Sequence, residues 1–135
     1  MNNARILHTM LRVSDLDRSL NFYTQVLRMQ VLRTFDNPED KFSLTFLGYA
    51  DESDTCVLEL TYNYGVDNYD LGSAYGHIAI GVENCEKACT EIAARGGEVT
   101  YGPVVMEGLH ETIAFVKDPD GYQVELVERP KDWLL

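Results

Sequence analysis

Ile6-Leu7-His8-Thr9-Met10-Leu11-Arg12-Val13, followed by Ser14-Asp15-Leu16-Asp17-Arg18-Ser19-Leu20-Asn21-Phe22-Tyr23, reads as a short strand, a polar cap and an amphipathic helix. Leu16, Leu20, Tyr23 and Leu27 are spaced four, three and four apart, which places them on one helical face. Asp15 suits the N-cap, where a side-chain oxygen accepts from an unpaired helix N–H. The same order returns at His77-Ile78-Ala79-Ile80-Gly81-Val82, then Glu83-Asn84-Cys85-Glu86-Lys87-Ala88-Cys89. There Cys85, Ala88, Cys89 and Ile92 make the apolar stripe, Asn84 the cap, and Gly96-Gly97 the stop.

His77 follows His8 by 69 positions (77 − 8), and the same offset carries Phe46 onto Phe115. Each phenylalanine lies in an apolar strand, 42–47 and 112–116, that enters a hairpin. The first turn, 48–55, is long and acidic; the second, Asp118-Pro119-Asp120-Gly121, is a strong turn signal. Each hairpin ends in a strand with a glutamate among aliphatic residues, Val57-Leu58-Glu59-Leu60 and Gln123-Val124-Glu125-Leu126. From Phe46 to Glu59 is 13 residues and from Phe115 to Glu125 is 10, so the first hairpin is three longer. The chain therefore reads as one domain of two modules, about 5–63 and 75–129, joined by a Gly-, Tyr- and Asp-rich linker, 64–74. Strand, helix, then two or three strands, used twice, gives an α+β fold with curved sheets and helices on the outer faces.

Strand parity puts His8, Met10 and Arg12 on one face, and Val57, Glu59, Thr61 and Asn63 on one face. A glutamate inside an apolar strand is costly unless it is paired or bound to metal. His8, Glu59, His77 and Glu125 stand at repeat-equivalent positions and form a set of two imidazoles and two carboxylates. Such a set suits a divalent first-row metal with open positions, and the lack of thiolate argues against a structural zinc site. Arg12 and Asn63 fall further along the same faces. Cys56 has the opposite parity to Glu59 and should point away from them. His110, in Glu107-Gly108-Leu109-His110-Glu111, reads as surface.

The net charge is −11, from 11 Lys+Arg against 22 Asp+Glu. That field repels phosphate backbones and anionic lipid, which argues against nucleic-acid and membrane partners. No apolar run approaches the ~18 residues of a membrane span, and residues 1–5 do not read as a signal peptide. Asp51, Glu52 and Asp54, with Glu39, Asp40, Asp67 and Asp70, read as solvated loops. Three cysteines without a framework, Cys56, Cys85 and Cys89, fit a reducing cytoplasm, with the helical pair as small core residues.

The chain resembles the glyoxalase I (lactoylglutathione lyase) family of the vicinal-oxygen-chelate superfamily, also called the glyoxalase/bleomycin resistance fold. The likeness runs from about Leu7 to Glu128. It is carried by Leu7-His8-Thr9-Met10-Leu11-Arg12-Val13, Glu59-Leu60-Thr61-Tyr62-Asn63, Tyr75-Gly76-His77-Ile78-Ala79, and Asp118-Pro119-Asp120-Gly121-Tyr122 followed by Glu125. The resemblance implies two βαβββ modules with mixed sheets. It implies a homodimer with metal sites at the subunit interface, His8 and Glu59 from one chain meeting His77 and Glu125 of the other. It implies the short class best activated by Ni²⁺ or Co²⁺, although the ligands also admit Zn²⁺. The implied reaction converts the hemithioacetal of methylglyoxal and glutathione to S-D-lactoylglutathione, through an enediolate stabilised by the metal. Glu125 would be the base and Glu59 its partner, with Arg12 and Asn63 holding the γ-glutamyl end of the glutathione cosubstrate.

Two residues depart from the family pattern. Arg28 stands where Gly is usual, which demands an unusual turn or a different helix end. Met106-Glu107-Gly108, in the loop read at 102–113, stands where a Lys before Gly is a candidate for the glycine carboxylate of glutathione. Glu107 weighs toward another thiol, such as a glutathione–polyamine conjugate. Other readings are an epimerase or ring-opening dioxygenase of the superfamily, or a metal-free binding module. Glu59 as a fourth ligand argues against the dioxygenase, and the four-residue set against the binding module.

Overall fold

The computed structural model describes all 135 residues, and the chain divides into two units, Met1–Tyr69 and Asp70–Leu135. In the first unit β1 (His8–Arg12) leads to α1 (Leu16–Asn21), which continues as a π-helical turn, Phe22–Val26. Then come β2 (Gln30–Asn37), β3 (Phe42–Gly48) and β4 (Val57–Asn63). The second unit runs β5 (His77–Val82), α2 (Cys85–Ala94), β6 (Glu98–Met106), β7 (Glu111–Lys117), β8 (Gln123–Glu128) and a short 3₁₀ turn, Lys131–Trp133. Each unit is thus βαβββ. Its sheet is mixed, in the order β1-β4-β3-β2 or β5-β8-β7-β6, with the first pair parallel and the rest antiparallel. The α+β architecture expected from the repeat is the architecture found.

The caps form as the sequence requires. Asp15 accepts from Arg18 N, and Asn84 accepts from Lys87 N at 2.8 Å. Gly96 ends α2 at φ 92, while Gly97 N donates to Ile92 O. Cys85, Cys89 and Ile92 are buried on α2, with Ala88 half-buried beside them. The first stripe needs correction. Leu16 and Leu20 are only half-buried, and the buried residues are Ser19, Phe22, Tyr23, Val26 and Leu27. Tyr23 and Leu27 of the expected stripe are buried; after Asn21 the chain forms a π turn, in which Leu27 N donates to Phe22 O five residues back.

Arg28 resolves its departure by adopting the left-handed region, φ 64, while Met29 N closes back on Tyr23 O at 2.9 Å. Tyr49 Oη donates to Leu27 O at 2.7 Å, and burial pushes that phenol up to about 12.

The stretch 102–113 is strand rather than loop: β6 reaches Met106, β7 begins at Glu111, and only a tight turn separates them. Pro103 is accommodated because β6 is an edge strand with irregular register between Tyr101 and Val104. Gly102 is required there, because a Cβ would stand 2.6 Å from Ile113 O.

Candidate metal and substrate site

Parallel pairing sets Met10 beside Glu59 and Arg12 beside Thr61, so His8, two residues before Met10 on the same face, reaches the glutamate diagonally. His8 Nε2 lies 2.8 Å from Glu59 Oε2. In the second unit Ala79 pairs with Glu125, and His77 Nε2 lies 3.8 Å from Glu125 Oε2. Glu59 is 9% exposed in a strand whose first five residues are all buried. The opposite face of β4 carries Leu58 and Leu60, and Leu11, Leu47 and the helical Phe22, Tyr23, Val26 and Leu27 are also buried in this unit. Nothing apolar offsets a buried charge, so Glu59 needs its histidine or a cation.

The phenylalanines found by the repeat frame both pairs. Phe46 pairs with Glu59 and Phe115 with Glu125 across antiparallel strands. Each ring meets its histidine in a T-shaped contact, at 5.6 Å for His8 and 5.3 Å for His77. Register survives the unequal hairpins because the extra residues lie in the loop between β3 and β4.

Each unit therefore offers one imidazole nitrogen and one carboxylate oxygen side by side. Neither unit by itself gathers a third His, Cys, Asp or Glu ligand beside its pair. With ligand bonds of about 2.1 Å, two donors at about 90° on one cation stand about 3 Å apart, and more at wider angles. Separations of 2.8 and 3.8 Å suit two neighbouring ligands of one divalent ion, so the donor set fits a metal.

Arg12 is exposed on the His8 face. Asn63 closes β4, half-buried, and its Nδ2 donates to Tyr69 Oη at 3.1 Å. Tyr69 is thus a neighbour that the linker reading did not single out. At the position equivalent to Arg12 stands Gly81, where a Cβ would meet Leu134 at 2.8 Å. The chain's own tail occupies that space in the second unit. Cys56 and His110 are exposed. Glu107 is exposed in the turn between β6 and β7.

A cluster that the sequence reading missed lies beside Phe46. Arg33 pairs with Phe46 across β2 and β3, and its guanidinium carbon stands 3.6 Å from the ring centroid. Arg33 Nε and Nη2 donate to the two oxygens of Glu52 at 2.5 and 3.0 Å. Arg5 in turn donates to the backbone carbonyls of Glu52 and Thr55. Glu52 is therefore not a solvated loop residue: its side chain is 27% exposed and doubly bonded. The Arg33 bond, above all, holds its carboxyl below the usual range, and the same bond raises Arg33. The available signal was an arginine following Val31-Leu32 in a strand, with a carboxylate in the overlong hairpin to receive it.

Residues 5–126 match the model of the Glyoxalase/Bleomycin resistance protein/Dioxygenase superfamily. The chain is 57% identical to the lactoylglutathione lyase of Escherichia coli O157:H7 over 124 residues, covering 92% of each protein. It is 58% identical to a probable lactoylglutathione lyase of Vibrio cholerae, covering 95% of this chain and 93% of that protein. Among solved structures it superposes on the glyoxalase I of Leishmania major, described as trypanothione-dependent. The TM-score is 0.84 at 51% identity, covering 93% of this chain and 87% of that one. The repeated fold, the paired histidines and glutamates and these likenesses agree: the chain belongs to the glyoxalase/bleomycin resistance protein/dioxygenase superfamily, in its lactoylglutathione lyase (glyoxalase I) family.

Proposed function

We propose that this protein is a lactoylglutathione lyase that isomerises the hemithioacetal of methylglyoxal and glutathione to S-D-lactoylglutathione, and so detoxifies methylglyoxal. The observation that carries the reading is the duplicated histidine–glutamate pair, 2.8 Å apart in one unit and 3.8 Å in the other. The identity to relatives of that name supports the substrate. His8, Glu59, His77 and Glu125 would hold one divalent ion, Ni²⁺ by preference, with Co²⁺ or Zn²⁺ as alternatives. Two ligands per unit favour a homodimer in which His8 and Glu59 of one protomer complete the set with His77 and Glu125 of its partner. A cytoplasmic location fits the free thiols.

The bound ion would supply Lewis acidity to the two vicinal oxygens of the hemithioacetal. Glu125 takes the C–H proton next to the carbonyl and returns it to the adjacent carbon. Its pair is the wider one, so its carboxylate has room to leave the histidine and reach carbon. Glu59, in the closer pair, is its partner on the other side. The Arg12 fork binds the γ-glutamyl carboxylate, and the Asn63 amide, oriented by Tyr69, meets the neighbouring polar groups.

A second reading keeps the reaction and changes the thiol to a glutathione–polyamine conjugate. Glu107 favours it, because a carboxylate attracts a polyamine and repels the free glycine carboxylate of glutathione. The test is apoprotein stripped by chelator and reloaded with Ni²⁺, Co²⁺, Zn²⁺, Mn²⁺ or Mg²⁺, assayed with methylglyoxal and each thiol. Activity that returns only with metal, highest with Ni²⁺ or Co²⁺, is the expected result. Full activity in the stripped protein sinks the metal reading, and no turnover with any metal and either thiol sinks the reaction.

A further inference from the structure

We propose that Arg33, clamped by Glu52, is a positioning residue for the His8–Glu59 pair: it fixes the Phe46 ring, and that ring fixes the His8 imidazole opposite Glu59. The inference rests on the metal reading above. Met10, Glu59, Phe46 and Arg33 form one row across β1, β4, β3 and β2. Phe46 is 4% exposed and touched by two groups, the guanidinium at 3.6 Å and the His8 ring in T-shaped contact at 5.6 Å. A ring held by two partners cannot turn without losing one of them.

The guanidinium in turn is fixed in plane, because two parallel N–H bonds to one carboxylate leave it no swivel. Glu52 is presented by the longer hairpin, and Arg5 ties that hairpin down through the carbonyls of Glu52 and Thr55. The second unit serves as an internal comparison. The register places Tyr101 beside Phe115, the counterpart of Arg33 beside Phe46, and the two rings are 6.3 Å apart and tilted. The unit with the clamp holds its histidine–glutamate pair at 2.8 Å, and the unit without it at 3.8 Å. Arg33 thus makes one half of the ligand set the anchored half and leaves Glu125 the carboxylate with freedom to move.

Groups that orient metal ligands typically change metal affinity 10–100-fold. The test measures Ni²⁺ affinity of the full chain by competition with a chromophoric chelator, beside the thermal midpoint of the ion-free protein. Arg33→Met keeps the apolar stem but removes the cation and its fork; it should weaken Ni²⁺ binding about 10-fold with the ion-free midpoint held. Arg33→Lys, which restores charge without the fork, should fall between. Equal Ni²⁺ affinities in wild type and Arg33→Met overturn the proposal. If Arg33→Met also lowers the midpoint, Glu52→Gln decides: weaker Ni²⁺ binding at an unchanged midpoint supports the clamp, and unchanged binding overturns it. A wild-type chain that binds none of Ni²⁺, Co²⁺ or Zn²⁺ removes the metal reading and the clamp together, a result distinct from equal affinities.

Discussion

His8 Nε2 stands 2.8 Å from Glu59 Oε2, while their repeat counterparts His77 and Glu125 stand 3.8 Å apart. The closer pair suits an anchored ligand and the wider one a carboxylate that moves a proton. Glu125→Gln should keep the fold and reduce kcat by at least ~10²-fold, the usual scale for a general acid–base group. Glu59→Gln should weaken metal binding more than Glu125→Gln does. Steady-state kinetics and metal content of both variants check this, and near-native turnover in Glu125→Gln would remove it from the base role.

Arg12 is exposed two residues beyond Met10 on the His8 face. Arg12→Ala should mainly raise KM for the hemithioacetal and leave kcat and metal content close to wild type. A variant that keeps KM and loses its metal would place Arg12 beside the ligands instead.

Burial pushes the Cys85 thiol up to about 12 and raises Cys89, whereas Cys56 is exposed. Only the thiolate is nucleophilic. Native protein should therefore release one equivalent of thionitrobenzoate per chain rapidly from the aromatic disulfide reagent, and three after unfolding. Three rapid equivalents in the native state would contradict the burial of α2.

Arg28 holds φ 64, a conformation that is unfavourable for a side chain and free for glycine. Arg28→Gly should raise stability by about 0.5–1 kcal/mol in urea unfolding, the strain relieved less the extra entropy of a glycine in the unfolded chain. A loss of stability would show that the Arg28 side chain makes a contact worth more than the strain.

Glu52 titrates below its ordinary value because of Arg33. A depressed carboxyl binds fewer protons folded than unfolded, so its contribution is present above the unfolded value and lost as pH falls through the folded one. The stability difference between wild type and Glu52→Gln should be present at neutral pH and shrink as pH falls below the ordinary glutamate range. A difference that persists unchanged into acid would mean that the carboxylate charge is not what stabilises the loop.

Several acidic residues have a partner. Glu59 faces a histidine, Glu52 an arginine, and Glu111 accepts from Arg129 at 2.6 Å. Each Arg–Glu pair removes one charge of either sign, so the net −11 is unchanged by them. No helix is long and apolar enough to cross a membrane.

Much was legible in the residues because it is local or periodic. Asp15 and Asn84 cap their helices since capping needs only a side-chain oxygen three residues from a free N–H. The offset that joins His8 to His77 also joins Phe46 to Phe115, and the strand registers then set these opposite Glu59 and Glu125. The π turn at Phe22–Val26 was not legible, since a 3.6-residue period carries no sign of an extra residue in one turn.

Spacing along the chain was enough for the two-module α+β fold and the four metal-ligand candidates, while the βαβββ module and the family came from the resemblance of its motifs. Tertiary structure alone placed Arg33 over Phe46. A register shift between Val31 and Arg33 sets its side chain opposite Phe46, and Glu52 reaches it from a hairpin 19 positions away. Alternation along a strand cannot reveal a bulge, and an ion pair closed across a loop leaves no period to read.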